Sequence, residues 1–128
     1  MLTVGIKGTL EKTAVSDLSA RSMGSGELDV LATPALIAAV EETAWKSIAP
    51  YLEEGQGSVG THLEVSHLAA TPLGMKFWCE SELVEINGRK LIFSVSAHDE
   101  TGPIGKGTHE RFLVDNASFQ KKTDAKAK

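Results

Sequence analysis

The chain has 128 residues, of which 41% are hydrophobic and 23% are charged, which is typical of one soluble globular domain with its own core. Its single cysteine, Cys79, excludes an intrachain disulfide and favours a reducing, cytoplasmic location. The net charge of −4 argues against general nucleic-acid binding, and no apolar run reaches the ~20 residues of a transmembrane helix. We therefore expect neither a nucleic-acid nor a membrane partner.

Positive charge is concentrated at the end of the chain. Residues 120–128 contain four lysines and one aspartate beside small and polar residues, which is typical of a solvated, frayed terminus. A weak attraction for an anionic ligand is the alternative. We therefore predict a single domain over residues 1–119 and a flexible basic tail over residues 120–128.

The first predicted strand covers residues 3–15, where Val, Ile, Leu and Thr are spaced by polar residues. Residues 16–28 follow and are rich in serine and glycine, without a hydrophobic period. A loop of this length in a compact domain is either a lid over a binding site or a plain connection. The sequence leaves both interpretations open.

The strongest helix signal begins at Thr33 and Pro34. Threonine is a good N-cap, and proline is favoured at the first helical position. Because Pro50 disfavours helix at the residue before it, we predict that the helix runs to about Ile48. Its apolar residues share one face, namely Leu36, Ile37, Val40, Ala44 and Ile48. Glu41 lies at the border of that face, where a carboxylate either reaches solvent or belongs to a site.

Beyond a turn over residues 51–58, the hydrophobic period changes to two. One face of the next predicted strand contains Val59, Thr61, Leu63, Val65 and His67. Asn87-Gly88 predicts a two-residue hairpin turn between strands at residues 75–86 and 89–99. The last predicted strand covers residues 104–115. The order of elements predicts an α+β fold, with one long helix packed on a five-stranded antiparallel sheet.

Three polar residues occur at or beside predicted apolar surfaces: Thr33, Glu41 and His67. Each has an ordinary explanation, as a helix cap, a partly exposed carboxylate and a hydrogen-bonded core histidine. Together they place a hydroxyl, a carboxylate and an imidazole on the facing surfaces of the helix and the sheet, and this combination suits hydrolysis. Gly60 would let a ligand approach backbone N–H donors that stabilise an oxyanion. No pair of histidines has zinc-site spacing, so we expect no metal.

Several short strings of the chain are distinctive. They are Ala32-Thr33-Pro34-Ala35, Gly57-Ser58-Val59-Gly60-Thr61, Val65-Ser66-His67-Leu68-Ala69-Ala70-Thr71-Pro72 and Gly107-Thr108-His109-Glu110-Arg111. With Glu41 between the first two, this set resembles the hot-dog-fold acyl-CoA thioesterases, and most closely the fluoroacetyl-CoA thioesterase group. The resemblance covers roughly residues 30–119.

The resemblance implies a fold, an activity and site residues. The family's catalytic residues fall on Thr33, Glu41 and His67, its active-site glycine on Gly60, and an arginine near the site on Arg111. It implies a homodimer, possibly a tetramer, with sites at the subunit interface. It also implies no cofactor, because CoA arrives as part of the acyl-CoA substrate. Arg111 would hold the dimer interface or a CoA phosphate.

The resemblance thus predicts hydrolysis of a short or small acyl-CoA thioester to the free acid and CoA. Glu41 would act as nucleophile or general base, His67 would assist proton transfer to the leaving thiolate, and Thr33 would orient Glu41 or the substrate carbonyl. The fluoroacetyl enzymes carry aromatic residues on both sides of the catalytic threonine, whereas residues 25–35 contain none. This departure argues against a preference for fluoroacetyl groups.

Two other functions are compatible with a hot-dog domain. A non-catalytic acyl-CoA-binding module would bind the ester without turnover, but it would not need Thr33, Glu41 and His67 together. A dehydratase or hydratase resembles a different signature, with an aspartate and a histidine on or just before the helix. We therefore rank hydrolysis first and the binding module second.

Overall fold

The computed structural model describes residues 1–127, and Lys128, the last residue of the predicted tail, lies outside the described residues. The main elements in chain order are β1 (Lys7–Thr13), α1 (Ala20–Met23), α2 (Thr33–Ile48), β2 (Gln56–His67), β3 (Lys76–Asn87), β4 (Lys90–Asp99), β5 (Gly102–Asp115) and α3 (Asn116–Asp124).

The five strands form one antiparallel sheet in the order β1-β3-β4-β5-β2, which leaves β1 and β2 at its edges. The helix α2 packs on one face, and the core lies between them. Its largest buried side chains include Leu36, Val40 and Ile48 from the helix and Phe77, Leu83, Leu91 and Phe93 from the sheet. The predicted fold class, one long helix on a five-stranded antiparallel sheet, is confirmed.

The bounds of α2 agree with the prediction, but its N-terminal cap does not. Ala32 is the N-cap residue, and no side chain caps the helix. The Ala32 carbonyl accepts the first helical hydrogen bond, from the backbone N–H of Leu36 at 3.0 Å. Thr33 therefore occupies the first helical position, and Pro34 the second. The prediction that Thr33 caps the helix is wrong, because its hydroxyl contacts His67 and not a backbone N–H of the helix.

A β-bulge interrupts β2 near Thr61. The register with β5 shifts between Gly60, which pairs with Arg111, and His62. A single extra residue reverses the alternation of side chains along the rest of the strand. Gly60 therefore shares the helix-facing side with His67, and Val59 lies on the opposite side. The predicted common face of Val59 and His67 is wrong, because strict alternation cannot anticipate a bulge.

The hairpin between β3 and β4 is displaced by one residue from the prediction. Asn87 pairs with Lys90, so the two loop residues are Gly88 and Arg89. Gly88 has φ 63°, a conformation that favours glycine and that a type II′ turn requires at its first central position.

Both ends of the chain differ from the prediction. The strand β1 is shorter than the predicted residues 3–15, and the predicted loop over residues 16–28 contains two short helical turns, Ser16–Leu18 and Ala20–Met23. At the other end, residues 116–124 form α3, capped by the Asp115 side chain, where the sequence indicated no regular structure. No residue of α3 is buried.

Among the described helices, none combines the length and apolar character that a membrane span requires.

Candidate active site

Thr33 and His67 meet at one end of the sheet. Thr33 opens α2, His67 ends β2, and 2.7 Å separates Thr33 Oγ1 from His67 Nδ1. The backbone brings the two together because the N–H of Leu31 donates to the carbonyl of Thr71 at 2.9 Å. That bond fixes the segment before the helix beside the segment after the strand. We refer to these two residues as the Thr33–His67 pair.

The ring of His67 is held in a partly buried position. Burial lowers its pKa from the ordinary value, and the backbone of Ala69 opposes this shift in part. Its Nε2 atom is buried and has no hydrogen-bond partner among the described residues. The ring lines a cavity of about 290 Å³ that Ala20 and Ser25, from the segment predicted as a loop over residues 16–28, also line. A neutral imidazole in this place can accept a proton and pass it on.

Glu41 lies in the middle of α2, where the sequence placed it at the border of the apolar face. Its side chain is 38% exposed, and Oε2 is 3.6 Å from Nη1 of Arg111, whose side chain is only 7% exposed. Burial lowers the pKa of Arg111, and the Glu41 carboxylate opposes this shift. A guanidinium keeps its proton in proteins, so a buried positive charge stands beside the carboxylate.

Interior groups accept hydrogen bonds from three of the five N–H donors of Arg111. Nε donates to Ser58 Oγ at 2.8 Å, Nη2 to the Ser58 carbonyl at 2.9 Å, and Nη1 to His109 Nε2 at 3.0 Å. An exposed CoA phosphate would have to compete with these bonds. The geometry therefore favours a place beside Glu41 over a contact with a CoA phosphate, which was one of the two roles expected of Arg111 besides the dimer interface.

Sequence reasoning missed two residues of this group, Ser58 and His109. His109 is fully buried, and its Nδ1 is 2.9 Å from the His62 carbonyl. His109 and Arg111 are two residues apart on β5 and so share a face, and this spacing was the signal that could have revealed the histidine. We call Glu41, Ser58, Gly60, His109 and Arg111 the Glu41 cluster.

Gly60 has no side chain, and the carboxylate of Glu41 occupies the space that a side chain would fill. A Cβ atom at this position would lie 2.5 Å from Glu41 Oε2 and 3.2 Å from His109 Cε1. No other residue type fits without displacing one of these side chains. The glycine therefore allows Glu41 to lie directly over β2.

We expect Gly60→Ala to lower kcat by about 10-fold to 100-fold, because an added methyl group displaces the Glu41 carboxylate by an ångström or more. The flexible carboxylate can move aside, so the free energy of unfolding should change by less than about 1 kcal/mol. Gly57→Ala on the same strand is the control, because its Cβ would meet the side chain of Asn116 instead. Steady-state kinetics and urea unfolding measure both effects, and equal kcat values for the two variants would contradict the assignment.

The Thr33–His67 pair and the Glu41 cluster are separate within one chain. Glu41 follows Thr33 by eight positions in α2, which corresponds to ~12 Å along the helix axis. Within residues 1–127 no hydrogen bond or ion pair connects Glu41 to Thr33 or His67. In the same part of the chain, no three His, Cys, Asp or Glu side chains are placed to hold a metal ion.

Comparisons with known proteins agree on one protein family. Residues 12–117 match the family model of the fluoroacetyl-CoA-specific thioesterases. The fluoroacetyl-CoA thioesterase of Streptantibioticus cattleyicolor is 43% identical over 101 residues, which cover 76% of this chain and 73% of that protein.

Solved structures agree with this family match. The structure of a fluoroacetyl-CoA thioesterase superposes with a TM-score of 0.92 at 34% identity and covers 98% of both chains. A thioesterase superfamily member from Thermus thermophilus gives a TM-score of 0.88 at 25% identity, over 100% of this chain and 98% of that one.

Proposed function

Since the chain belongs to the fluoroacetyl-CoA-specific thioesterase family and is therefore an acyl-CoA thioester hydrolase, we propose that it acts on short acyl groups. The products are the free acid and CoA. We assign catalysis to Thr33, Glu41 and His67, with Gly60 and Arg111 next to the substrate. The observation that carries this assignment is the carboxylate of Glu41, held over Gly60 and beside the buried charge of Arg111.

The proposed chemistry begins at the thioester carbonyl. Glu41 either attacks it, expels the CoA thiolate and forms an anhydride that water then hydrolyses, or removes a proton from the water that attacks the thioester directly. Thr33 orients the reacting group, and His67 passes a proton from that water to the leaving thiolate. After a single turnover in ¹⁸O-labelled water, label in Glu41 identifies attack by the carboxylate, because the general-base route leaves the Glu41 oxygens in place.

We further propose that two copies of the chain complete the site as a homodimer. The strand β2 is at the edge of the sheet, and its central residues 60–64 are exposed. A long unpaired edge is normally covered. When two β2 strands pair antiparallel across a twofold axis, the end of one strand lies beside the beginning of the other. The Thr33–His67 pair of one subunit then approaches the Glu41 cluster of the second. The dimer thus brings together two groups that are separate within one chain.

The small cavity beside His67 supports a short acyl group. Thr33, Val30 and Leu31 are among the residues that line it, and its volume is about 290 Å³. A related fluoroacetyl-CoA thioesterase has been crystallised with acetyl-CoA, and also with fluoroacetate and CoA. No aromatic residue occurs over residues 25–35, so we propose short acyl groups without a preference for fluorine.

A panel of acyl-CoA esters tests this proposal through the release of free thiol. We expect kcat/KM to be highest for acyl groups of about two to four carbons and to fall with longer chains, because the acyl groups in the crystal structures of the related enzyme are two-carbon groups. The ratio of kcat/KM for fluoroacetyl-CoA to kcat/KM for acetyl-CoA should match the ratio of the rates at which hydroxide hydrolyses the same two thioesters without the enzyme. A preference for long chains would contradict the proposed substrate, and tight binding without thiol release would indicate the acyl-CoA-binding module instead.

We also place the enzyme in the cytoplasm. Cys79 is free and buried, and burial raises its pKa to about 11. A thiol in this state is unreactive and forms no disulfide that would call for an oxidising compartment.

A further inference from the structure

The buried imidazole of His109 is held by two bonds that together define its protonation. Nδ1 faces the carbonyl of His62 at 2.9 Å, and Nε2 faces Nη1 of Arg111 at 3.0 Å. A carbonyl can only accept and a guanidinium can only donate. Nδ1 therefore carries the proton, Nε2 presents its lone pair, and the ring is neutral.

The lone pair of His109 and the carboxylate of Glu41 face the same guanidinium nitrogen. Ser58 accepts from Nε and Nη2 of Arg111, and His109 holds Nη1 through one of its two N–H groups. It donates to His109 and remains 3.6 Å from Glu41 Oε2. Charge-assisted hydrogen bonds between such groups are normally about 2.7–2.9 Å long. The positive charge is thus close to the carboxylate without a direct hydrogen bond to it.

We propose that His109 is a positioning residue for thioester hydrolysis, which holds Arg111 by its Nε2 lone pair and so keeps Nη1 beyond hydrogen-bond distance of the Glu41 carboxylate. The inference rests on the proposed role of Glu41. Without an acceptor at His109, Nη1 turns to Glu41, and the ion pair at 3.6 Å shortens to a direct hydrogen bond. A carboxylate bound in that way is a weaker nucleophile and a weaker base.

The other charged groups around His109 leave this arrangement unchanged. Burial lowers the pKa of His109, the His62 carbonyl raises it, Arg111 lowers it, and Glu41 and Glu110 raise it. The carboxylate of Glu110 is paired with Lys90 at 3.4 Å. The ring should therefore remain neutral at pH values somewhat below the ordinary histidine range.

Two amide variants separate the two bonds of His109. The side-chain carbonyl of His109→Gln reaches the place of Nε2 and still accepts from Arg111. The side-chain amide of His109→Asn reaches the place of Nδ1, donates to the His62 carbonyl and offers nothing to Arg111. We expect His109→Asn to lower kcat by about 10-fold to 100-fold with little change in KM, whereas His109→Gln retains kcat within about 3-fold.

A purely structural role for His109 predicts a different result. Both variants would then lose kcat equally, in proportion to their loss of stability in urea, and this outcome would overturn the proposal. Retention by Gln together with loss in Asn supports it.

A second measurement uses the unmodified protein and does not depend on activity. Imidazole ¹⁵N shifts of His109 should show a protonated Nδ1 and an unprotonated Nε2 at pH 7. A charged ring or the opposite tautomer would overturn the proposal even if the variants fail to fold. An inactive wild-type enzyme with the expected shifts would instead count against the proposed function alone, so the two failures are distinguishable.

Discussion

Replacing Glu41 with glutamine is expected to lower kcat for acyl-CoA hydrolysis by about 10³-fold or more. Glutamine has nearly the same shape but neither attacks a carbonyl nor removes a proton from water, so both proposed routes lose their reactive group. The fold should survive, because Glu41 is 38% exposed and Arg111 keeps its bonds to Ser58 and His109. Thiol release gives kcat, and urea unfolding gives the stability.

The neighbouring carboxylate provides a matched control. Glu42 forms ion pairs with Lys12 at 3.0 Å and Lys46 at 2.6 Å on the surface of the molecule. These bonds hold the pKa of Glu42 below its usual range, against the opposing effect of burial. Glu42→Gln should lose up to about 1 kcal/mol of stability and retain kcat within about 2-fold. A Glu41→Gln variant with more than about a tenth of wild-type kcat would exclude Glu41 as nucleophile or base.

Local signals were sufficient to predict most of the fold. The proline positions and the apolar period predicted α2 at Thr33–Ile48, and the period-two pattern predicted the strands that pair in the sheet. The C-terminal helix α3 was missed because its residues are polar and exposed on every side, so it has no amphipathic pattern. The bulge at Thr61 was missed because it depends on the partner strand β5, which no local period records.

The candidate site could be predicted only in part, for a related reason. The sequence pattern placed Thr33 and His67, which are 34 residues apart, on the facing surfaces of the helix and the sheet, but it could not give the hydrogen bond between them. His109 and Ser58 were missed because their importance depends on which side chains Arg111 contacts. The position of Gly60 beneath Glu41 follows from the bulge, so an error in the strand face concealed the reason for the glycine.

The central claim is that the Thr33–His67 pair of one subunit works with the Glu41 of a second. Mixing two inactive variants, Glu41→Gln and His67→Asn, tests this claim directly. In a mixed dimer with a shared site, one site receives both substitutions and the other receives neither. Random exchange at equal amounts makes half of the dimers mixed, and each of these has one intact site of two. The mixture should therefore reach about a quarter of wild-type activity.

The measurement is thiol release after the two variants exchange subunits, with each variant alone carried through the same treatment as the control. Recovery of about one quarter of the wild-type rate, from two variants that are each inactive, is the predicted result. No recovery, in a mixture where differently tagged subunits are shown to form mixed dimers, would mean that Thr33, Glu41 and His67 act within one chain and would contradict the shared site.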